Sequence, residues 1–192
     1  AEATGDYIVF LHSDDRMLPT HLSVGIEAFR AHPETAFVCG DYRWFDAADL
    51  WHVHRCQPSP DYYGALLRLN FIGPPIVVMF RRDVLTRVGG FRPEFEGADD
   101  QDMYFRIARR YPIHCHHHVI AEYRRHAAQG SQKMATMLDA SMRVMHAQRT
   151  YIRGNKPYQD AYCSGIKQRQ RLYGEILFWQ GVRAMKTGEW MK

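Results

Sequence analysis

The chain of 192 residues is sparing with cysteine: four occur, at positions 39, 56, 115 and 163, and no two form a C-x-x-C pair. Spacing this wide fits reduced thiols of a cytosolic protein better than a disulfide framework or a structural zinc site. Long apolar runs are missing as well. No stretch approaches the roughly eighteen consecutive apolar residues of a membrane span, so no membrane-crossing helix is expected within the sequence. Charge of one sign is not in excess either. A net charge of +4 could favour anionic partners such as nucleotide phosphates or a lipid surface. It is far below a nucleic-acid footprint, and with no recognised nucleic-acid motif no nucleic-acid partner is expected. Hydrophobic residues at 46% and charged residues at 24% exclude a disordered or fibrous chain. A chain this long can bury roughly 70% of the surface its unfolded form exposes, enough for one domain core.

What is present is organised around Asp6–Pro19. Tyr7–Leu11 is a continuous apolar run, which predicts a strand buried on both faces, and it ends abruptly in His12-Ser13-Asp14-Asp15. Ligands of open α/β sheets bind in the crevice beyond the carboxyl ends of the strands, so this acid pair stands where a metal ion and phosphates are held. Two adjacent carboxylates repel by about 4 kcal/mol at ~4 Å and an effective dielectric near 20. A hard divalent cation, Mg²⁺ or Mn²⁺, relieves that repulsion. The competing reading is that Asp14 caps the following helix.

Downstream, the spacing predicts a helix over 19–32, a hairpin of strands over 36–45 and 51–53 with its turn at 46–49, and a short helix over 62–69. The loop 70–75 follows, then a strand over Ile76–Phe80 and a helix over Arg82–Val88 stopped by Gly89-Gly90. A second acidic cluster, Asp99-Asp100-Gln101-Asp102, opens a helix running to Arg110. Acids in a first turn complement the helix dipole, but three carboxylates in four positions exceed what a cap requires. Residues 113–123 read as one or two strands leading to Arg124-Arg125-His126. Their histidines at 114, 116, 117 and 118 fit a solvated face better than a metal site. Two helices, over 132–153 and 157–186, complete the chain. The last carries an apolar stripe among basic residues, which suits core packing first and a peripheral membrane contact second. The chain starts with Ala and reaches a central-looking strand within ten residues, so it is expected to begin inside a longer protein.

Four pieces in this order resemble one family: Gly5–Asp15 with Leu18-Pro19; Phe80–Leu85 with Val88–Phe91; Asp99–Arg106; and Tyr123–His126. Together they are similar to the inverting family 2 glycosyltransferases of the GT-A fold. The resemblance implies an α/β fold, a partial GT-A sheet flanked by helices, with a C-terminal helical extension. Residues 1–130 would be the metal and acceptor half of the catalytic domain, and 131–192 the extension. The family's leading nucleotide-binding half has no counterpart among the residues given. The implied activity moves a sugar from a nucleotide-diphosphate donor to a hydroxyl of a saccharide, lipid-linked or protein acceptor with inversion, in polysaccharide or glycoconjugate synthesis, using Mg²⁺ or Mn²⁺. By position, Asp14 matches the metal-binding aspartate with Asp15 beside it on the substrate, and Asp100 matches the base with Asp99 in the adjoining acidic position. Arg124 and His126 match the late Arg-x-His element that faces the diphosphate and the metal, with Arg125 between them. His12 stands where the family has another aspartate, and imidazole is a poorer Mg²⁺ ligand than carboxylate. The expected location is the cytoplasm, including the inner face of the membrane, and an unpaired sheet edge would favour self-association. Two other classes fit the residues less fully: a catalytically silent sugar- or protein-binding domain, and a metal-dependent phosphoester hydrolase.

Overall fold

The computed structural model describes residues 3–45, 52–124 and 134–187. In chain order these form β1 (Tyr7–Val9), β2 (Arg16–Met17), α1 (His21–Ala31), β3 (Phe37–Phe45), β4 (His52–His54), α2 (Tyr62–Arg68), β5 (Val78–Arg81), α3 (Arg82–Val88), α4 (Asp99–Ala108), β6 (His114–Arg124), α5 (Met134–Gln148) and α6 (Lys156–Thr187). One mixed sheet runs in the order β1-β5-β3-β6-β2, with β4 attached to β3.

The sheet is built on β3, whose first five residues are buried. It pairs antiparallel with β5 (Phe37 opposite Phe80) and parallel with β6 (Cys39 opposite Cys115, Trp44 opposite Tyr123). Because β1 is antiparallel to β5, the strands β1, β3 and β6 all point the same way. Their carboxyl ends therefore emerge along one edge of the sheet, and this sets the position of the site.

Among the described residues the apolar run at Tyr7 forms a half-buried strand paired on one side. Tyr7–Val9 pair with Met79–Arg81, which places this strand beside β5. Phe10 and Leu11 lie beyond the strand, and Leu11 is 54% exposed. Their apolar character serves the lip of a cleft, which periodicity cannot distinguish from a buried strand. The next strand also starts later than its pattern suggests. Pro74 is extended and Pro75 opens a single 3₁₀ turn through Val77, so the ladder begins at Val78. The hairpin of β3 and β4 forms, with Tyr42 opposite His54, while its turn at 46–49 lies outside the described residues.

The two C-terminal helices and the turn between them share the core of the sheet domain: Ala140, Val144, Met145, Ile152, Ala161 and Tyr162 join Phe37, Phe80, Tyr104 and Phe105 in one cluster. The approach of α6 to α2 is close enough that a Cβ on Gly165 would lie 1.8 Å from the Leu67 carbonyl oxygen. Four residues on, buried Arg169 donates to the carbonyls of Leu66, Leu67 and Arg68, which the end of α2 leaves without helical partners. Burial lowers this guanidinium to about 10. Among the described residues no helix is long and apolar enough to cross a membrane.

Candidate active site

A cleft of about 1050 Å³ opens along the edge where β1, β3 and β6 end. It gathers Phe10, Leu11, His12 and Asp14 after β1, Tyr42 of β3, Tyr123 of β6, and Asp99 and Asp100 of α4. The loop Asn70–Pro75 forms another wall. It is set by the Asn70 side chain, which accepts from the Ile72 N–H at 3.3 Å, and by Gly73 at φ +96°, where a Cβ would lie 2.6 Å from the Tyr42 ring. A smaller depression of about 520 Å³, beside Asp61, Tyr63 and Arg109, holds neither acidic cluster.

The first acidic cluster is a compact donor group. The potential ligand atoms of His12, Asp14 and Asp15 lie within 4.8 Å of one another. Neither acid caps α1, whose N-cap is Thr20. Asp15 is buried: one carboxylate oxygen accepts the Arg124 backbone N–H at 3.3 Å, and the other is buried with no hydrogen-bond partner among the described residues. His12 Nδ1 stands 3.9 Å from that orphaned oxygen. Burial raises the Asp15 carboxyl; the Arg124 N–H opposes this, the Asp14 charge adds to it, and His12 opposes it. A buried carboxylate oxygen lacking a partner, beside a second carboxylate and an imidazole, fits a divalent cation. With one nitrogen in the set, the chemistry suits Mn²⁺ better than Mg²⁺.

The second cluster divides by role. Ala98 is the N-cap of α4, so none of its acids is the cap. Asp102 points away from the cleft into a buried ion-pair network. It accepts from Arg92 Nε at 2.9 Å and Arg106 Nε at 2.7 Å, and Arg106 also donates to the Val88 and Gly90 carbonyls. That network clamps the segment after α3 onto α4. Asp100 accepts the Gln101 N–H at 2.6 Å and keeps part of its surface open to the cleft. Burial pushes its carboxyl up to about 7, the Gln101 N–H opposing and the Asp99 charge adding to the rise. The dipole of a helix mouth favours the ionised form. Burial outweighs it, because a first-turn dipole contributes at most ~2 kcal/mol.

The structure thus brings Asp14, Asp99 and Asp100 to one cleft, with Asp15 just beneath it. Arg124 ends β6 and is tied through its backbone to Asp15. Arg125 and His126 lie outside the described residues. Sequence reasoning missed the aromatic walls: Tyr42, Phe91, Tyr123 and, from the helical extension, Tyr173 with Met137. Tyr173 sits in a stripe whose spacing reads as core; only its placement near Asp100, whose charge helps burial raise the phenol, marks it as part of the cleft.

The histidine strand is solvated only in part. His117 and His118 are exposed, whereas His116 is buried with both ring nitrogens lacking partners among the described residues, and burial lowers it to about 4. The cysteines are free thiols, as their wide spacing suggests, yet Cys39, Cys56 and Cys115 meet in space.

A mixed sheet with ligand groups at the carboxyl ends of its parallel strands, helices around it and a helical extension is a GT-A architecture. The S. aureus TarS fragment solved with UDP-GlcNAc superposes with a TM-score of 0.58 at 10% identity, over 88% of this chain and 50% of that one. Residues 1–89, just under half of the chain, match the model of glycosyl transferase family 2. The chain is 34% identical over 139 residues to the Myxococcus xanthus O-antigen biosynthesis protein RfbC, a match covering 71% of this chain and 10% of RfbC. It is 29% identical over 141 residues to an uncharacterized Mycobacterium tuberculosis protein, over 66% of this chain and 44% of that protein. The chain therefore spans less than half the length of these relatives.

Proposed function

We propose that the cleft transfers a sugar from a nucleotide-diphosphate donor to an acceptor hydroxyl with inversion, within the synthesis of a polysaccharide or glycoconjugate. The observation that carries this reading is the split of carboxylates in one cleft. Asp14, Asp15 and His12 form a tight donor group, while Asp100, outside that group, is pushed up to about 7. The family-model match, an O-antigen biosynthesis relative and a TarS neighbour solved with UDP-GlcNAc all favour the same class of donor.

In this reading His12, Asp14 and Asp15 hold the divalent cation. When bound, it neutralises the diphosphate as that group departs. Arg124 adds positive charge at the same end, with Arg125 and His126 following it in sequence. Asp100 takes the proton of the acceptor hydroxyl as the acceptor oxygen bonds to the anomeric carbon and the bond from that carbon to the phosphate oxygen breaks. A carboxylate poised near neutral pH suits a general base, since it is ionised yet still basic enough to bind the proton. Asp99 contacts the acceptor, and Tyr42, Tyr123 and Tyr173 offer faces on which sugar rings pack.

The test uses the full-length protein with Mn²⁺, a panel of nucleotide sugars and candidate acceptors, measuring released nucleoside diphosphate. Release that requires an acceptor supports transfer. Equal release without acceptor would point to hydrolysis, and no release with any donor that binds would point to a silent binding domain.

A further inference from the structure

Away from the cleft, three of the four cysteines converge although 17 and 59 positions separate them along the chain. Cys39 comes from the first half of β3, Cys115 from the second position of β6 and Cys56 from the segment after β4; all three are at least 96% buried. Cys39 Sγ lies 3.3 Å from Cys115 Sγ, and all three sulfurs lie within 4.8 Å of one another. A cation bonded to three sulfurs at about 2.3 Å in one plane sets them roughly 4.0 Å apart. The sulfurs therefore already approximate that triangle.

We propose that Cys39, Cys56 and Cys115 form a three-thiolate site for a thiophilic d¹⁰ cation, Cu⁺ or Zn²⁺, which ties the segment after β4 to the β3–β6 pair. Soft thiolates select such ions, and three donors from three segments form a site where a pair would form only a disulfide. The second layer is in place: Asp41 accepts the Cys56 backbone N–H at 2.9 Å, and its carboxylate stands 3.5 Å from His117 Nδ1. Anchoring of this kind orients a ligand before the ion arrives. Proton balance is also defined. The cation displaces the thiol protons into solvent, Cys115 giving up its proton most readily because hydrogen bonds from Cys39 and Cys56 hold it down to about 5. Hydrogen bonding to Cys115 holds Cys39 above its ordinary range and Cys56 at about 11, so affinity should rise with pH.

The test is titration of the reduced, chelator-stripped full-length protein under anaerobic conditions, with Zn²⁺ in one arm and Cu⁺ against a competing chelator in the other. Each arm follows the ultraviolet thiolate-to-metal band and the melting temperature. The wild type and Cys163→Ala should each complete the thiolate band with a single equivalent and melt higher with the ion. Cys56→Ala and Cys115→Ser should bind more than about 100-fold more weakly and lose the thermal gain. An Asp14→Asn background, which removes a ligand from the other donor group, should leave the thiolate band unchanged; the arm with tighter binding identifies the ion. Unaltered affinity in Cys56→Ala, no thiolate band at stoichiometric metal, or a Cys39–Cys115 disulfide in the protein as isolated would each overturn the proposal.

Discussion

Replacing Asp100 by Asn should make the protein more stable at alkaline pH while sharply slowing transfer. The Asp100 carboxyl is pushed from an ordinary value of 3.8 to about 7, chiefly by burial. A raised carboxylate value means that the folded state holds its proton where the unfolded chain has lost it. The resulting penalty is absent below about pH 4, grows between pH 4 and 7 and is constant above 7. At 1.36 kcal/mol per unit the shift sets a ceiling of about 4 kcal/mol. Because the side chain keeps part of its surface open to the cleft, solvent screening reduces this, and about 1–3 kcal/mol is expected. Asn preserves the bond from the Gln101 N–H and carries no charge. Urea unfolding of wild type and Asp100→Asn at pH 4, 6 and 8 should therefore show a gap near zero at pH 4 that widens in favour of the mutant. In parallel, wild-type transfer should rise with pH through about 7 and fall ~10²- to 10⁴-fold in the mutant. A gap that does not change with pH, or a mutant less stable at pH 8, would refute the claim that burial raises this carboxyl.

Other consequences follow from particular contacts. Asp102→Asn leaves buried Arg106 without its ion-pair partner and should destabilise the fold by about 3–5 kcal/mol in denaturant unfolding, against under 1 kcal/mol if the network is ornamental. Gly165→Ala places a methyl where the Leu67 carbonyl sits, so α6 should loosen from α2, seen as faster amide exchange along both helices; unchanged exchange would show that the contact is slack. Tyr173→Ala should raise the acceptor KM several-fold with little change in melting temperature, and a large loss of stability instead would return Tyr173 to the core. Among the described residues β1 pairs only with β5, so a bare outer edge should favour self-association, which size-exclusion chromatography of residues 1–192 would report; a clean monomer would contradict it.

Much of this architecture was legible in the chain because local chemistry and tertiary role agree. Arg82–Val88 is a helix bounded by Gly89, whose φ of +85° suits a left-handed cap, and its limits match the sequence pattern. The two acidic clusters were equally plain, because charges at the end of an apolar run and at a helix mouth are local signals. What stayed hidden depends on distance along the chain. Tyr173 reaches the cleft only because α6 docks on α2 at Gly165, and the thiol cluster exists only because Cys39 and Cys115 pair across β3 and β6. Tyr7–Leu11 misled for a different reason: aromatic and β-branched residues suit a cleft lip as well as a buried strand.

The division of labour between the clusters is tested most directly by measuring Mn²⁺ binding and sugar transfer side by side in full-length wild type, Asp14→Asn and Asp100→Asn. Asp14→Asn should lose both Mn²⁺ affinity and transfer, whereas Asp100→Asn should bind Mn²⁺ as the wild type does and lose transfer ~10²- to 10⁴-fold. Superimposable Mn²⁺ titrations for wild type and Asp14→Asn, or near-normal transfer by Asp100→Asn, would contradict the account.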